Sequence, residues 1–219
     1  DVRDLGLLKK HVDKADVIIP LAALVGFPLC DKDVRGAHEI NHEVNAWIAK
    51  NKSVDQLVIY PCTNSGYGTS ADGSVVTEES PLNPVSLYGR TKVAGEREYK
   101  NVENHVTFRL ATVFGPGSRM RTDLLVNNFV LKALRERVLV LYECEFMRNY
   151  GHLAEKIQEH LPLEIIKAEF TTDPDTRDYT VSSQKFYDTG FECKYDLDDG
   201  IKQLITAYNI IESPWYANY

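Results

Sequence analysis

Tyr88 and Lys92, in Ser86-Leu87-Tyr88-Gly89-Arg90-Thr91-Lys92, are the side chains whose types and spacing most directly suggest chemistry. Four residues apart on a helix, a phenol and an ammonium share one face. A nearby cation favours the phenolate and lowers the tyrosine pKa. Such a tyrosine can take or give a proton near neutral pH. Taken alone, the spacing also describes an ordinary solvated helix face. It gains meaning from Thr63, which closes an apolar strand-like run and opens the turn Thr63-Asn64-Ser65-Gly66-Tyr67-Gly68.

In order and spacing, Thr63, Tyr67-Gly68, Tyr88 and Lys92 resemble the extended short-chain dehydrogenase/reductase family, the nucleotide-sugar epimerases and dehydratases. There a Ser or Thr sits four residues before a Tyr-Gly pair, and the YxxxK tyrosine follows. The resemblance implies NAD as cofactor and a nucleotide diphosphate sugar as substrate. It implies that Tyr88 takes the proton of a sugar hydroxyl while hydride leaves the same carbon. Lys92 would lower the Tyr88 pKa and hydrogen-bond the nicotinamide ribose, and Thr63 would hold the reacting hydroxyl, with Ser65 as the alternative. Along the cofactor it implies Asp1, Val2, Leu21, Ala22, Ala23 and Asn41 besides Tyr88 and Lys92. Along the substrate it implies Ser65, Asn128, Arg148 and Arg177, arginine suiting a diphosphate because its planar fork binds bidentately.

The implied reaction is oxidation at C4 of the sugar, by a 4-epimerase or a 4-dehydrogenase. Asn64-Ser65 stands where the family's dehydratases carry Asp-Glu, so 4,6-dehydration is disfavoured. The run Pro61-Cys-Thr-Asn-Ser-Gly-Tyr-Gly68 resembles enzymes of surface-polysaccharide sugars. A relative that binds dinucleotide without turnover is an alternative. The family also implies a homodimer, a four-helix bundle built from the YxxxK helix and the helix near residues 37–50, with Trp47 and Ile48 at that interface or in the core.

Two further constellations suggest chemistry that their surroundings do not support. His38-Glu39-Ile40-Asn41-His42 fits H-E-x-x-H, the zinc-peptidase pattern. The third ligand of the extended motif is missing, so no metal is expected. Cys62, beside Thr63, has no recognisable histidine partner and reads as a buried strand cysteine.

The elements that must position these residues alternate between strand and helix. Apolar runs at Asp16–Ala23, Gln56–Tyr60, His105–Phe114, Val138–Leu141 and Leu163–Phe170 read as strands, the first of them buried. Helical spacing appears after Asp4, over Val34–Lys50, around Tyr88, over Thr122–Arg137 with Thr122 as N-cap, over His152–His160 and over Leu197–Ile211. This alternation predicts an α/β fold with a mainly parallel sheet. With the resemblance it becomes a Rossmann-like doubly wound sheet: a dinucleotide-binding portion over 1–121 and a smaller C-terminal substrate lobe over 122–219, interleaved at their boundary. No GxGxxG turn is present. The resemblance begins at the GDxRD-like Asp1-Val2-Arg3-Asp4, so a glycine-rich βαβ segment is expected to be missing before it, and another segment near Tyr150-Gly151.

A net charge of −7 over 219 residues excludes non-specific nucleic-acid binding, which needs a basic surface. No apolar run is long enough to span a membrane. The four scattered cysteines predict reduced thiols and a cytoplasmic setting.

Overall fold

A computed structural model describes residues 1–69, 74–143, 150–169 and 180–210. The chain divides into two units, the first running Asp1–Ala111 and regaining the chain at Thr180–Val181, the second starting at Thr112.

In the first unit, α1 (Leu5–Val12) starts at Asp4, whose carboxylate accepts from the Leu7 N–H at 2.9 Å. There follow β1 (Val17–Ile18), α2 (Phe27–Lys32), α3 (Val34–His38), a π-helical turn at Glu39–Glu43 and α4 (Val44–Asn51). Next come β2 (Leu57–Thr63), a 3₁₀ turn at Asn64–Gly66, β3 (Val75–Val76), α5 (Leu87–Tyr99) and β4 (His105–Leu110). Strands β1, β2 and β4 pair in that order, all parallel, with Val17 beside Leu57 and Tyr60 beside Thr107.

Strand alternation decides which face is covered. Val58, Tyr60 and Cys62 of β2 point into a core with Val12, Ile18, Val44, Ile48 and Tyr99. The other face carries Val17, Val106, Phe108 and Leu110, all exposed. This corrects the buried strand expected over Asp16–Ala23. Only Val17–Ile18 joins the sheet, and Ile19 and Leu21 are exposed. A continuous apolar run signals a strand covered on both faces; the α4 and α5 core packs on one.

Two boundaries also moved. The strand expected from His105 to Phe114 ends at Leu110, because its partner β2 leaves the ladder at Thr63 to enter the 3₁₀ turn. Thr122 is not an N-cap. The second unit's first helix, α6, runs Leu125–Glu136 with Leu124 at the cap position. Arg121 instead pairs with Asp123 at 2.7 Å, and the Thr122 carbonyl accepts from Asn128 Nδ2 at 3.0 Å, which holds these residues in a preceding turn.

After α6, β5 (Val138–Glu143) pairs in parallel with β6 (Glu164–Glu169) across α7 (Tyr150–Gln158). Strand β7 (Thr180–Val181) returns to the first unit and pairs with β3. The short α8 (Gln184–Tyr187) and α9 (Leu197–Ile210) complete the second unit. Its core joins Met120, Val130, Leu153, Ile157, Ile201 and Leu204. Every strand pair among the described residues is parallel, as expected. No helix among them is long and apolar enough to cross a membrane.

Candidate functional site

Helix α5 carries Tyr88 and Lys92, and its start is set by Ser86, whose hydroxyl accepts from the Gly89 N–H at 3.1 Å. Gly89 has a packing reason: a Cβ there would lie 3.1 Å from the Ser65 carbonyl and 3.0 Å from Pro84. The missing side chain lets the turn after Thr63 press against the turn of helix that bears Tyr88. The structure thus brings Thr63, Ser65, Tyr88 and Lys92 into one neighbourhood of the first unit.

Lys92 is 3% exposed, and its ammonium lies over the Tyr60 ring, 4.4 Å from the centroid. Desolvation lowers its pKa from the ordinary 10.5 to about 8, only partly opposed by the neighbouring Cys62. The ring face of Tyr60 gives the cation a partial substitute for water. The Tyr60 hydroxyl donates to the Lys92 carbonyl at 2.9 Å, so one residue of β2 holds both ends of Lys92. Burial, then the charge of Glu96, pushes the Cys62 thiol up to about 12, which leaves it protonated and inert.

Thr63 is buried, and its hydroxyl accepts from the Ser65 N–H at 3.1 Å. It therefore caps its own turn and retains a proton to donate. Tyr88 is half-buried and packs on the cluster of Cys30, Ala37 and Leu87.

Asn41 is fully buried at the centre of the π-helical turn. Its amide accepts from the Leu24 N–H at 2.9 Å and donates to the Leu24 carbonyl at 3.0 Å and the Thr91 hydroxyl at 3.2 Å. It ties the loop after β1 to α5. The same turn answers the zinc pattern. Arg35 and Arg3 hydrogen-bond Glu39 and hold its carboxyl below the usual range, while His42 Nε2 lies 2.8 Å from Glu98. The would-be base is thus engaged by two cations.

Asp1, Val2, Ala22 and Ala23 line a single cleft of about 520 Å³, together with Leu8 and Ile40. Leu21 is 74% exposed and is not among its walls. Neither Thr63, Tyr88 nor Lys92 lines it. The Asp1 carboxylate is engaged by Arg3 at 2.6 Å. Asn128 is half-buried in the first turn of α6, in the second unit. Arg148 and Arg177 lie outside the described residues. Ile48, expected at an interface or in the core, is in the core at 2% exposure.

Sequence reasoning missed three residues. Tyr60 gave only a strand signal. Asn127, fully buried beside Asn128, holds Gly115 through both backbone groups and also the Arg121 carbonyl. Arg109 of β4 pairs with Glu96 of α5 at 2.6 Å and donates to the Tyr67 hydroxyl at 3.1 Å, bracing the end of the Thr63 turn. Burial pulls the Arg109 pKa down, and its hydrogen bonds to Glu96 and Tyr67 outweigh that and raise it. A charged residue in an apolar strand was the available signal for Arg109.

Known proteins resemble this chain in sequence and in fold. The chain is 29% identical over 98 residues to dTDP-4-dehydrorhamnose reductase of Mycolicibacterium smegmatis, covering 44% of this chain and 30% of that protein. It is 26% identical over 160 residues to an uncharacterised UDP-glucose epimerase, YtcB, of Bacillus subtilis, covering 69% of this chain and 49% of that protein. It therefore spans less than half the length of either. Among solved structures, MoeE5 in complex with UDP-glucose and NAD superposes with a TM-score of 0.76 at 18% identity, over 97% of this chain and 85% of that one. That likeness establishes the Rossmann-type fold. Residues 1–142 match the family model described as the RmlD substrate binding domain, and the chain belongs to that family, within the extended short-chain dehydrogenase/reductases.

Proposed function

We propose that the protein containing this chain oxidises C4 of a nucleotide-activated sugar with NAD, as a 4-epimerase or 4-dehydrogenase of surface-polysaccharide sugars. One observation carries the reading: the buried Lys92 ammonium, with a pKa near 8, shares a helix with Tyr88 against the turn that holds Thr63. Tyr88 accepts the proton of the sugar hydroxyl, Thr63 donates to that oxygen, and Lys92 keeps a positive charge beside the developing phenolate. NAD, when bound, supplies the hydride acceptor. The apolar cleft walls Val2, Ala22, Ala23 and Ile40 suit a flat base, and Asn41 fixes the loop that bears Ala22 and Ala23. Asn128, Arg148 and Arg177 are proposed for the substrate diphosphate, and a homodimer through α5 and the helical stretch over residues 37–50 belongs to the same reading.

A second reading is favoured by the family match and the reductase relative. In it the same residues work in reverse, Tyr88 giving its proton to a 4-keto oxygen as hydride arrives.

Tyr88→Phe tests the shared core of both. The variant should retain dinucleotide, recovered from denatured protein by mass spectrometry, while kcat falls at least about 100-fold. Full activity in the variant would remove Tyr88 from the mechanism. Which of UDP-glucose or a 4-keto sugar is consumed decides direction.

A further inference from the structure

Strand β4 places a charged side chain on the face of the sheet that α5 covers. Arg109 stands beside Cys62 of β2 in the register, with Thr63 the next residue along. Its side chain is 16% exposed and that of its partner Glu96 is 15% exposed. Nε and Nη2 of the guanidinium donate to the Glu96 carboxylate, the shortest contact being 2.6 Å. Nη1 donates to the Tyr67 hydroxyl and to the Glu78 carbonyl, each at 3.1 Å. The guanidinium also lies over the Tyr67 ring, 5.2 Å from its centroid. A buried ion pair adds little net stability over apolar residues of the same volume, so stability alone does not account for one here.

What the pair joins is more informative. Tyr88, Lys92 and Glu96 recur every four residues on α5 and so share one helix face. Tyr67 follows the turn that begins at Thr63, is 4% exposed, and donates its N–H to the Asn64 carbonyl at 3.0 Å. One guanidinium thus ties the helix of Tyr88 and Lys92 to the far end of the Thr63 turn. We propose that Arg109 is a positioning residue: with Glu96 and Tyr67 it fixes the Thr63 hydroxyl relative to the Tyr88 phenol, so that both reach one sugar oxygen. The inference deepens the nucleotide-sugar reading above and rests on it. A misplacement of about 1 Å can cost about 100-fold in rate. A rigid guanidinium fork holds two partners in fixed directions, which a lysine point charge does not.

The test uses the full-length protein with UDP-glucose, dTDP-glucose and GDP-mannose, following NADH absorbance and the sugar product by chromatography. Removing Arg109 alone would leave Glu96 buried and unpaired. The pair is therefore replaced together, Arg109→Met with Glu96→Leu, an exchange that buried ion pairs often tolerate in stability. Tm, KM and the dinucleotide recovered from denatured protein should match wild type, while kcat falls about 10- to 100-fold. In a Thr63→Val background the same exchange should change kcat less than about twofold, because no hydroxyl is left to misplace. Tyr67→Phe removes only the hydroxyl that Arg109 holds. It should lower kcat in the same Thr63-dependent way, and it serves if the paired variant does not fold. Wild-type kcat in either folded variant, or an equal loss with and without the Thr63 hydroxyl, would overturn the assignment while leaving the functional reading intact. A wild-type protein that converts none of the three sugars would overturn that reading, and this inference with it.

Discussion

Lys92 shows how one burial event becomes a measurable property. Its folded pKa of about 8 lies below its ordinary 10.5. Between those values the unfolded chain holds a proton that the folded protein has released, so this residue makes stability rise with pH across that window. Below pH 8 the cost of the buried charge is constant, and by pH 10.5 it is gone. The full span is worth about 3 kcal/mol. Lys92→Met should therefore be more stable than the ligand-free wild type near pH 7.5, and the advantage should shrink as pH rises towards 10. Paired Tm measurements on the two proteins cancel the tyrosine titrations, and a pH-independent gap would show that Lys92 is not desolvated. Tyr88, Lys92 and Thr63 were legible in the sequence because helical and turn spacing are local. The partner that holds Lys92, Tyr60, was not: the contact crosses 32 residues from strand to helix, and no local pattern announces it.

At the scale of elements, the π-helical turn explains several neighbours at once. One extra residue per turn displaces the Asn41 carbonyl from the regular ladder, and Asn45 Nδ2 donates to it at 3.1 Å. Asn45 in turn accepts from the Tyr99 hydroxyl at 3.0 Å. A Cβ on Gly95 would lie 2.6 Å from that carbonyl and 2.5 Å from the Tyr60 hydroxyl. Neither can retreat without losing a hydrogen bond, so Gly95→Ala should cost about 1–3 kcal/mol in urea denaturation. Asn41→Leu leaves both backbone groups of Leu24 unpaired and should cost about 3 kcal/mol, with faster hydrogen exchange at the Leu24 amide. A native-like exchange rate there would show that the loop finds other partners. The apolar spacing over Val34–Lys50 announced a helix, and a helix formed. The bulge inside it was hidden because Ile40, Val44 and Ile48 keep an ordinary period of four. Strand β5 and helix α9 were legible for the same reason, their apolar spacing running unbroken from end to end.

For the whole molecule, the exposed apolar face of the three-stranded sheet is the property most open to direct measurement. Val17, Val106, Phe108 and Leu110 stand together on it by register with Leu57, Ile59 and Pro61. Residues 1–219 produced alone should bind a hydrophobic dye and self-associate as concentration rises, and Phe108→Lys should reduce both. Dye binding unchanged by that substitution would place the sticky surface elsewhere. Composition gave no hint of this face, since apolar content counts residues and not their cover. The pairing of β3 with β7 joins segments about a hundred residues apart, with the Thr112–Thr176 part of the second unit between them. During synthesis, Val75 and Val76 leave the ribosome without the strand they will pair with. At about 5–20 residues per second that partner emerges about 5–20 seconds later. For that interval the first unit carries an open edge, and its last hydrogen bonds are set by translation speed, not by its own folding rate.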